Sequence, residues 1–213
     1  MVAAGLATDD RPHSASSGRP RTGFQSGHPD FGYTRKIPTA AEMVVMPVSF
    51  KQRFLSGLPQ TPPEMNLQLD EFVVFDEASL PGLNDSAMCQ LIEDGLPRHA
   101  PPFLSFSSYR AAEIENLRAS GVVPEQFVPF GQNGSGDLLG IDAATNEVIY
   151  FNHDDHNRRV FINSTLGQFL ECLCIYQEHL HSGKTQSSLG AIAKVDPPAA
   201  KQGTMWHAEA LSD

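Results

Sequence analysis

Hydrophobic and polar positions alternate most regularly in the second half of the chain. Apolar and β-branched residues gather in short runs separated by clusters of Gly, Asn and Asp, a pattern typical of strands joined by turns. The predicted strands are Phe127–Phe130, Leu138–Asp142, Glu147–Asn152 and Arg159–Asn163. Their short connections, 131–137 and 143–146, favour an antiparallel meander of successive strands.

A helix is predicted directly after the last of these strands. Thr165 followed by Gln168 fits a capping box, which satisfies backbone amides of the first helical turn. Apolar residues then recur at helical spacing, at Leu166, Phe169, Leu170, Leu173 and Leu180. Because a one-sided apolar stripe has to be buried, we expect this helix to cover one face of the sheet.

The pattern upstream is weaker and mixes helix and strand signals. The predicted elements are a helix at Pro47–Ser56, a strand at Phe72–Phe75, a helix at Asp85–Asp94, a strand at Phe103–Phe106 and a helical turn at Glu113–Ser120. Asp85 can cap the first turn of its helix, and Gly95 fits the stop after it. Together these elements predict an α+β fold, a single domain whose mostly antiparallel sheet is covered by helices.

Both ends of the chain lack an apolar period. Pro, Gly and Ser crowd residues 1–45, and polar, Ala- and Pro-rich sequence returns at 182–213. Segments that cannot bury enough apolar surface stay disordered. We therefore expect a disordered leader at 1–45, one domain at 46–181, and a disordered tail at 182–213 that contains Trp206, the chain's only tryptophan.

The chain is acidic. Among its 213 residues, 25 Asp and Glu outnumber 15 Lys and Arg, which gives a formal net charge of -10. A nucleic-acid surface needs clustered Lys and Arg, so this balance argues against a nucleic-acid binder. No run approaches the roughly 20 apolar residues of a membrane span, and no secretory signal is evident. We expect a cytoplasmic protein that binds no membrane.

The three cysteines, Cys89, Cys172 and Cys174, form no C-x-x-C pair. Their number and spacing indicate neither a zinc site nor a disulfide framework. We expect reduced thiols that pack as small apolar groups, which suits a reducing cytosol.

The segment His153-Asp154-Asp155-His156 is the strongest candidate for chemistry. Two imidazoles and two carboxylates can bind a divalent metal. Arg158 and Arg159 follow directly, and we expect them to oppose a bound cation and to pair with the aspartates. A polar turn between two strands is the preferred interpretation, and a metal-binding turn is the alternative.

Other catalytic signatures are weak. The Gly131–Asp137 segment lacks the Lys and Ser/Thr of a phosphate loop and precedes a strand rather than a helix. The sequence supports no Ser/His/Asp or Cys/His triad. We therefore predict no catalytic, cofactor-binding or metal-binding residues, and no enzymatic activity.

Several of these segments together resemble the SUKH superfamily of Smi/Knr-like proteins. The order and spacing of short motifs carry the resemblance, which spans residues 72–180. The motifs are Leu80-Pro81, Leu91 and Gly95-Leu96-Pro97, then Phe130-Gly131, Gly134-Ser135-Gly136-Asp137 and Ile141-Asp142, then Val148-Ile149-Tyr150 with His153-Asp154, and Ile162-Asn163-Ser164-Thr165-Leu166 with Phe169-Leu170.

The resemblance implies an α+β fold with a helix-covered sheet and no catalytic residues. Bacterial members of the superfamily are mostly immunity proteins that bind and neutralise toxins delivered between cells, commonly nucleases or nucleic-acid deaminases. Some eukaryotic members act in regulation and scaffolding. The resemblance therefore predicts an immunity protein with a toxin partner, and a non-catalytic regulatory or scaffold protein is the alternative.

The partner-binding surface is expected on loops, because loops carry recognition on a rigid scaffold. The predicted partner-binding residues are Gln132, Asn133, Asp137, Asp154 and Asp155. Their acidity, with the net charge, would steer the protein toward a toxin with a basic surface. A third hypothesis, from another class, is a small-molecule or metal-binding domain that uses the loops at Gly131 and His153.

Overall fold

The computed structural model describes residues 48–60, 64 and 68–212. The α-helices in this part of the chain are α1 Phe50–Ser56, α2 Asp85–Glu93, α3 Ala111–Ala119, α4 Leu166–His181, α5 Thr185–Val195 and α6 Met205–Leu211. Its strands are β1 Phe72–Val73, β2 Leu96–Pro97, β3 His99–Ala100, β4 Leu104–Phe106, β5 Phe127–Gln132, β6 Leu138–Asp142, β7 Glu147–Asn152 and β8 Arg158–Asn163. The leader predicted at 1–45 lies outside the described residues, so its disorder stays a prediction.

Six of these strands form one antiparallel sheet in the order β3-β4-β5-β6-β7-β8, while β1 and β2 pair separately. Val128 pairs with Ile141, and Ile141 pairs with Val148, so the predicted meander is in register. The α+β class and the antiparallel sheet are confirmed. Because each connection reverses direction, the β3–β4, β5–β6 and β7–β8 connections lie at one end of the sheet and the β6–β7 turn at the other.

The helix α4 covers one face of the sheet, as predicted. Phe169 is fully buried, and its ring lies 6.2 Å from that of Phe106 and 6.0 Å from that of Phe130 between centroids. The ring of Trp206 lies 6.2 Å away on the other side. Aromatic pairs at this spacing add to the stabilisation from apolar burial.

The buried surface of α4 is wider than the predicted stripe. Every residue from 172 to 177 is buried, because α1 and α5 pack against its other sides. Leu180, predicted on the buried stripe, is instead 47% exposed. None of the described helices, α4 included, is both long and apolar enough to cross a membrane.

The second face of the sheet carries a smaller apolar cluster. Phe127 and Ile149 belong to it, while their neighbours Val128 and Val148 belong to the main core, as the two-residue period of strands requires. Leu117 of α3 packs against this cluster. The sheet is therefore covered by α4 on one face and partly by α3 on the other.

The packing predicted for the three cysteines is right for two of them and wrong for Cys89, which lies exposed on α2. Cys172 and Cys174 are free thiols inside α4. Burial raises the pKa of each thiol to about 12. Because the thiolate is the reactive form, these two cysteines act as small apolar groups.

Two details of the first half of the domain differ from the predictions. Asn84, not Asp85, caps α2, and its side-chain oxygen accepts a hydrogen bond from a first-turn amide at 2.9 Å. Strand β4 begins at Leu104. Phe103 lies in the turn before it, with a φ of 53° and with 80% of its surface exposed.

The prediction of a disordered tail at 182–213 is wrong. Residues of this segment form α5 and α6, and Trp206 is fully buried against Phe169 and Tyr176. The error has a physical reason. The apolar residues of the segment are few and widely spaced, and much of its attachment to the domain is polar.

The polar attachment centres on the buried carboxylate of Asp196. It accepts hydrogen bonds from the side chain of Asn163 at 2.9 Å and from the backbone and hydroxyl of Ser164 at 2.8 and 2.9 Å. The indole N–H of Trp206 donates to Asn163 Oδ1 at 2.8 Å. These bonds tie the C-terminal helices to the end of β8, which explains the Asn163-Ser164 motif structurally.

Replacing Phe169 by alanine should lower the free energy of unfolding by roughly 3–5 kcal/mol, because it removes a buried aromatic side chain and leaves a cavity. Urea unfolding followed by circular dichroism measures the change. Val74→Ala, at an exposed position, is the control and should stay within about 0.5 kcal/mol of wild type. An unchanged midpoint for Phe169→Ala would contradict the packing of α4.

Replacing Asp196 by alanine should lower the free energy of unfolding by about 2–4 kcal/mol, because it leaves the buried amide of Asn163 and the partly buried donors of Ser164 without their acceptor. The exposed Asp70 offers the control substitution Asp70→Ala. Limited proteolysis tests whether the contacts of Asp196 hold the C-terminal helices in place. Cleavage before α6 should accelerate in Asp196→Ala, and equal cleavage rates in both variants would show that the carboxylate does not anchor the C-terminal helices.

Candidate functional site

Three connections share one end of the main sheet. We call residues 101–103, 133–137 and 153–157, which join β3 to β4, β5 to β6 and β7 to β8, the loop end. A Cβ atom added to Gly134 would lie 3.0 Å from the Cβ of Phe103, so the first and second connections touch. The loop end is therefore one continuous surface.

The buried side chain of Asp137 joins the second and third connections. Asp137 is only 4% exposed. Its Oδ1 accepts hydrogen bonds from the backbone N–H of His153 at 2.9 Å and from His153 Nδ1 at 2.6 Å. Its Oδ2 accepts a hydrogen bond from the side-chain amide of Asn133 at 2.8 Å. One carboxylate thus fixes the relative position of two loops.

The glycine-rich connection is folded around Asn133. Its Oδ1 accepts hydrogen bonds from the backbone N–H groups of Ser135 at 3.0 Å and of Asp137 at 2.9 Å. Gly136 has a φ of 85°, a conformation that side chains with a Cβ rarely adopt. The Gly-Ser-Gly-Asp motif therefore makes a tight turn that delivers Asp137 to the interior.

The third connection presents two carboxylates to solvent. Asn152 Oδ1 accepts from the backbone N–H groups of Asp154 and Asp155 at 3.0 and 3.2 Å, which caps a short 3₁₀ turn. Asp154 is 81% and Asp155 51% exposed at the side chain. Asp155 Oδ2 accepts a hydrogen bond from Arg158 Nε at 2.5 Å, so part of its charge is offset.

The expected arginine pairing is half right. Arg158 pairs with Asp155, as predicted. Arg159 instead forms ion pairs with Asp142 and Glu147, because its side chain runs along the sheet away from the loop end. With Arg159 engaged elsewhere, the loop end has three carboxylates, those of Asp137, Asp154 and Asp155, against the guanidinium of Arg158 and the imidazolium of His153 when it is protonated, so it is acidic on balance.

Protonation of the His153–Asp137 pair follows from its hydrogen bonds. The bond to Asp137 and the charge of Asp154 raise the pKa of His153. Burial by itself would raise the pKa of Asp137, but the donors of His153 and Asn133 outweigh it, and the pKa of Asp137 is lowered. Both shifts favour the ion pair.

The structure brings most of the predicted partner-binding residues together. Asn133, Asp154 and Asp155 surround the His153–Asp137 contact, and Gln132 is exposed at the end of β5 beside them. The prediction that Asp137 meets a partner does not fit its burial. Asp137 positions the loops from inside.

The sequence did not predict the roles of two residues at the loop end. It indicated His153 as a candidate metal ligand rather than as the partner of Asp137, and Phe103 as part of a strand rather than as an exposed residue of a turn. The aromatic residue directly after Pro101-Pro102 was the available signal for a turn that exposes Phe103. The described part of the chain contains no group of three or more His, Cys, Asp or Glu side chains placed to hold a metal ion.

An antiparallel sheet covered by helices, with a polar surface on its hairpin connections, defines an α+β domain. The profile of the SUKH-4 immunity protein family matches residues 51–213. The chain belongs to this family, a member of the SUKH superfamily that its motifs resemble. The match includes α5 and α6, beyond the residues covered by the motifs. Neither curated proteins nor solved structures gave a significant match.

The His153–Asp137 pair should make stability depend on pH. Because folding raises the pKa of His153, its contribution is complete below the ordinary histidine pKa of about 6.5 and is lost as pH rises through the folded pKa. Because folding lowers the pKa of Asp137, its contribution is present above about pH 4 and is lost on acidification. The pair therefore stabilises the fold most between about pH 4 and pH 6.5.

Between about pH 6 and pH 8, the free energy of unfolding of the wild type should fall more steeply than that of His153→Gln. Urea midpoints measured across this range test the difference. His156→Gln is the matched control, because the side chain of His156 is fully exposed in the same turn. Parallel slopes for wild type and His153→Gln would contradict a native ion pair.

Proposed function

We propose that this chain is a cytoplasmic immunity protein that binds and neutralises a toxin protein and has no catalytic activity of its own. Membership of the SUKH-4 immunity protein family supports a toxin partner in general terms. The loop end supports a binding role, because its polar groups are arranged as an ordered, exposed surface. We further propose that the toxin is a nuclease or nucleic-acid deaminase.

The observation that carries the proposal is the buried contact of Asp137 with His153 and Asn133. It holds two connections together before any partner arrives. A surface ordered in advance loses less conformational entropy on binding than a flexible one. The contact thus supports recognition at the loop end by Gln132, Asn133, Asp154 and Asp155, with Asp137 as the positioning residue.

The charge of the surface supports a basic partner. A protein that acts on nucleic acid needs clustered Lys and Arg around its site. The carboxylates of Asp154 and Asp155 are exposed, and the whole chain has a formal net charge of -10. Complementary potentials raise the rate of association and favour one orientation of encounter.

Charge reversal at the loop end tests the proposal. A toxin is first sought among the genes adjacent to this one. The double variant Asp154→Lys/Asp155→Lys should associate with that toxin roughly tenfold or more slowly at low salt, because rim charges act mainly on association. Co-expression should show weaker rescue of growth from the toxin. Glu77→Lys/Glu93→Lys is the control, since it makes the same change of net charge at two exposed positions outside the loop end.

The melting temperatures of both variants should stay close to wild type, which separates binding from folding. If the two double variants rescue growth equally, the interface lies outside the loop end. Failure of the wild type to bind or neutralise the neighbouring toxin would contradict the immunity function and favour a regulatory or scaffold role.

A further inference from the structure

An apolar groove lies beside the loop end. Its volume is about 810 Å³, and it runs between α1, the end of α4, α6 and the β3–β4 connection. The apolar residues that line it include Leu58, Pro101, Pro102, Phe103, Tyr176 and Leu180. A concave, mostly apolar site of this size is suited to a ligand or to side chains of a partner.

Two large side chains at the groove are exposed to water. Phe103 is 80% and Leu180 47% exposed. Phe103 also has a positive φ of 53°, which costs free energy in a bulky residue. Strain and exposure at one aromatic residue suggest a role in contacts that the isolated chain does not make.

The groove also contains a carboxylate. Glu209 lines it, burial raises the pKa of this carboxyl, and no cation in the described part of the chain offsets the effect. A desolvated carboxylate favours an occupant that donates hydrogen bonds.

We infer that this groove receives an apolar side chain of the toxin partner, next to a Lys or Arg side chain or a backbone N–H that reaches Glu209. The inference rests on the proposed function and extends its interface. Phe103 touches Gly134 of the loop end and also lines the groove, so the two surfaces are continuous. The carboxylate of Glu209 in the groove and the carboxylates of the loop end favour the same basic partner.

Aromatic side chains packed at the centre of an interface and surrounded by polar groups commonly carry much of the binding energy. Phe103 has this setting, with the apolar groove on one side and the acidic loops on the other. It would act as the anchor, while Asp154 and Asp155 would act at the rim.

The first experiment uses the full chain and tryptamine, an aromatic amine, as the probe. Tryptamine should cause saturable shifts of the methyl resonances of Leu58 and Leu180, and indole-3-acetate should bind more weakly. Glu209→Gln should weaken tryptamine binding by roughly three- to fivefold, as expected for one partly exposed ion pair. Equal binding of both probes, or no shift at the groove, would overturn the inferred chemistry. Contacts of residues 1–47 or of a second copy with the groove would overturn the inferred occupant.

The second experiment measures toxin affinity. Phe103→Ala should weaken binding roughly 10- to 100-fold, the range of an aromatic anchor, with an unchanged melting temperature. Val74→Ala, which also shortens an exposed apolar side chain, should bind as wild type does. If Phe103→Ala binds normally while Asp154→Lys/Asp155→Lys does not, the groove lies outside the interface and the proposed function stands. If wild type binds no toxin, the inferred occupant fails together with that function.

Discussion

A carboxylate removed from water must find hydrogen-bond donors, and this constraint acts at both ends of the main sheet. Asp137 at the loop end and Asp196 at the opposite end are both buried. Their donors among the described residues are amides, a hydroxyl and an imidazole rather than Lys or Arg. Bonds from such groups are directional, so each aspartate admits one arrangement of the segments around it. The apolar core gives the domain its stability, and the two aspartates fix its loops and its C-terminal helices.

The two ends use the constraint for different purposes. At the Asp196 end, the donors come from the end of β8, and the result is burial of Trp206 against α4. At the Asp137 end, the donors come from two loops, and the result is an exposed acidic surface with fixed geometry. Such an arrangement favours binding, because loops that are already ordered lose less conformational entropy when a partner binds. Phe103 and the groove beside it add apolar contact area to a surface that the aspartates make polar.

The local sequence pattern was enough to predict the meander and α4, because apolar residues recur every two positions in a half-buried strand and about every 3.6 positions in a helix. This spacing is clearest at residues 127–163 and 166–181. The C-terminal helices were missed because their attachment depends on contacts across more than 30 residues, such as that of Asp196 with Asn163. The loops at Asn133 and Asp154 share one end of the sheet because the predicted meander reverses direction at each connection. The burial of Asp137 and the exposure of Phe103 follow from tertiary contacts that no local period reveals.

Backbone amide hydrogen exchange of the full chain, with and without its toxin, tests most directly whether the loop end is the binding surface. If it is, exchange should slow at Phe103 and at residues 133–137 and 153–157, while the β6–β7 turn at 143–146 at the opposite end should exchange as in the free protein. Protection confined to the β6–β7 turn, or spread over the outer faces of α2 and α3 with an unchanged loop end, would contradict the assignment.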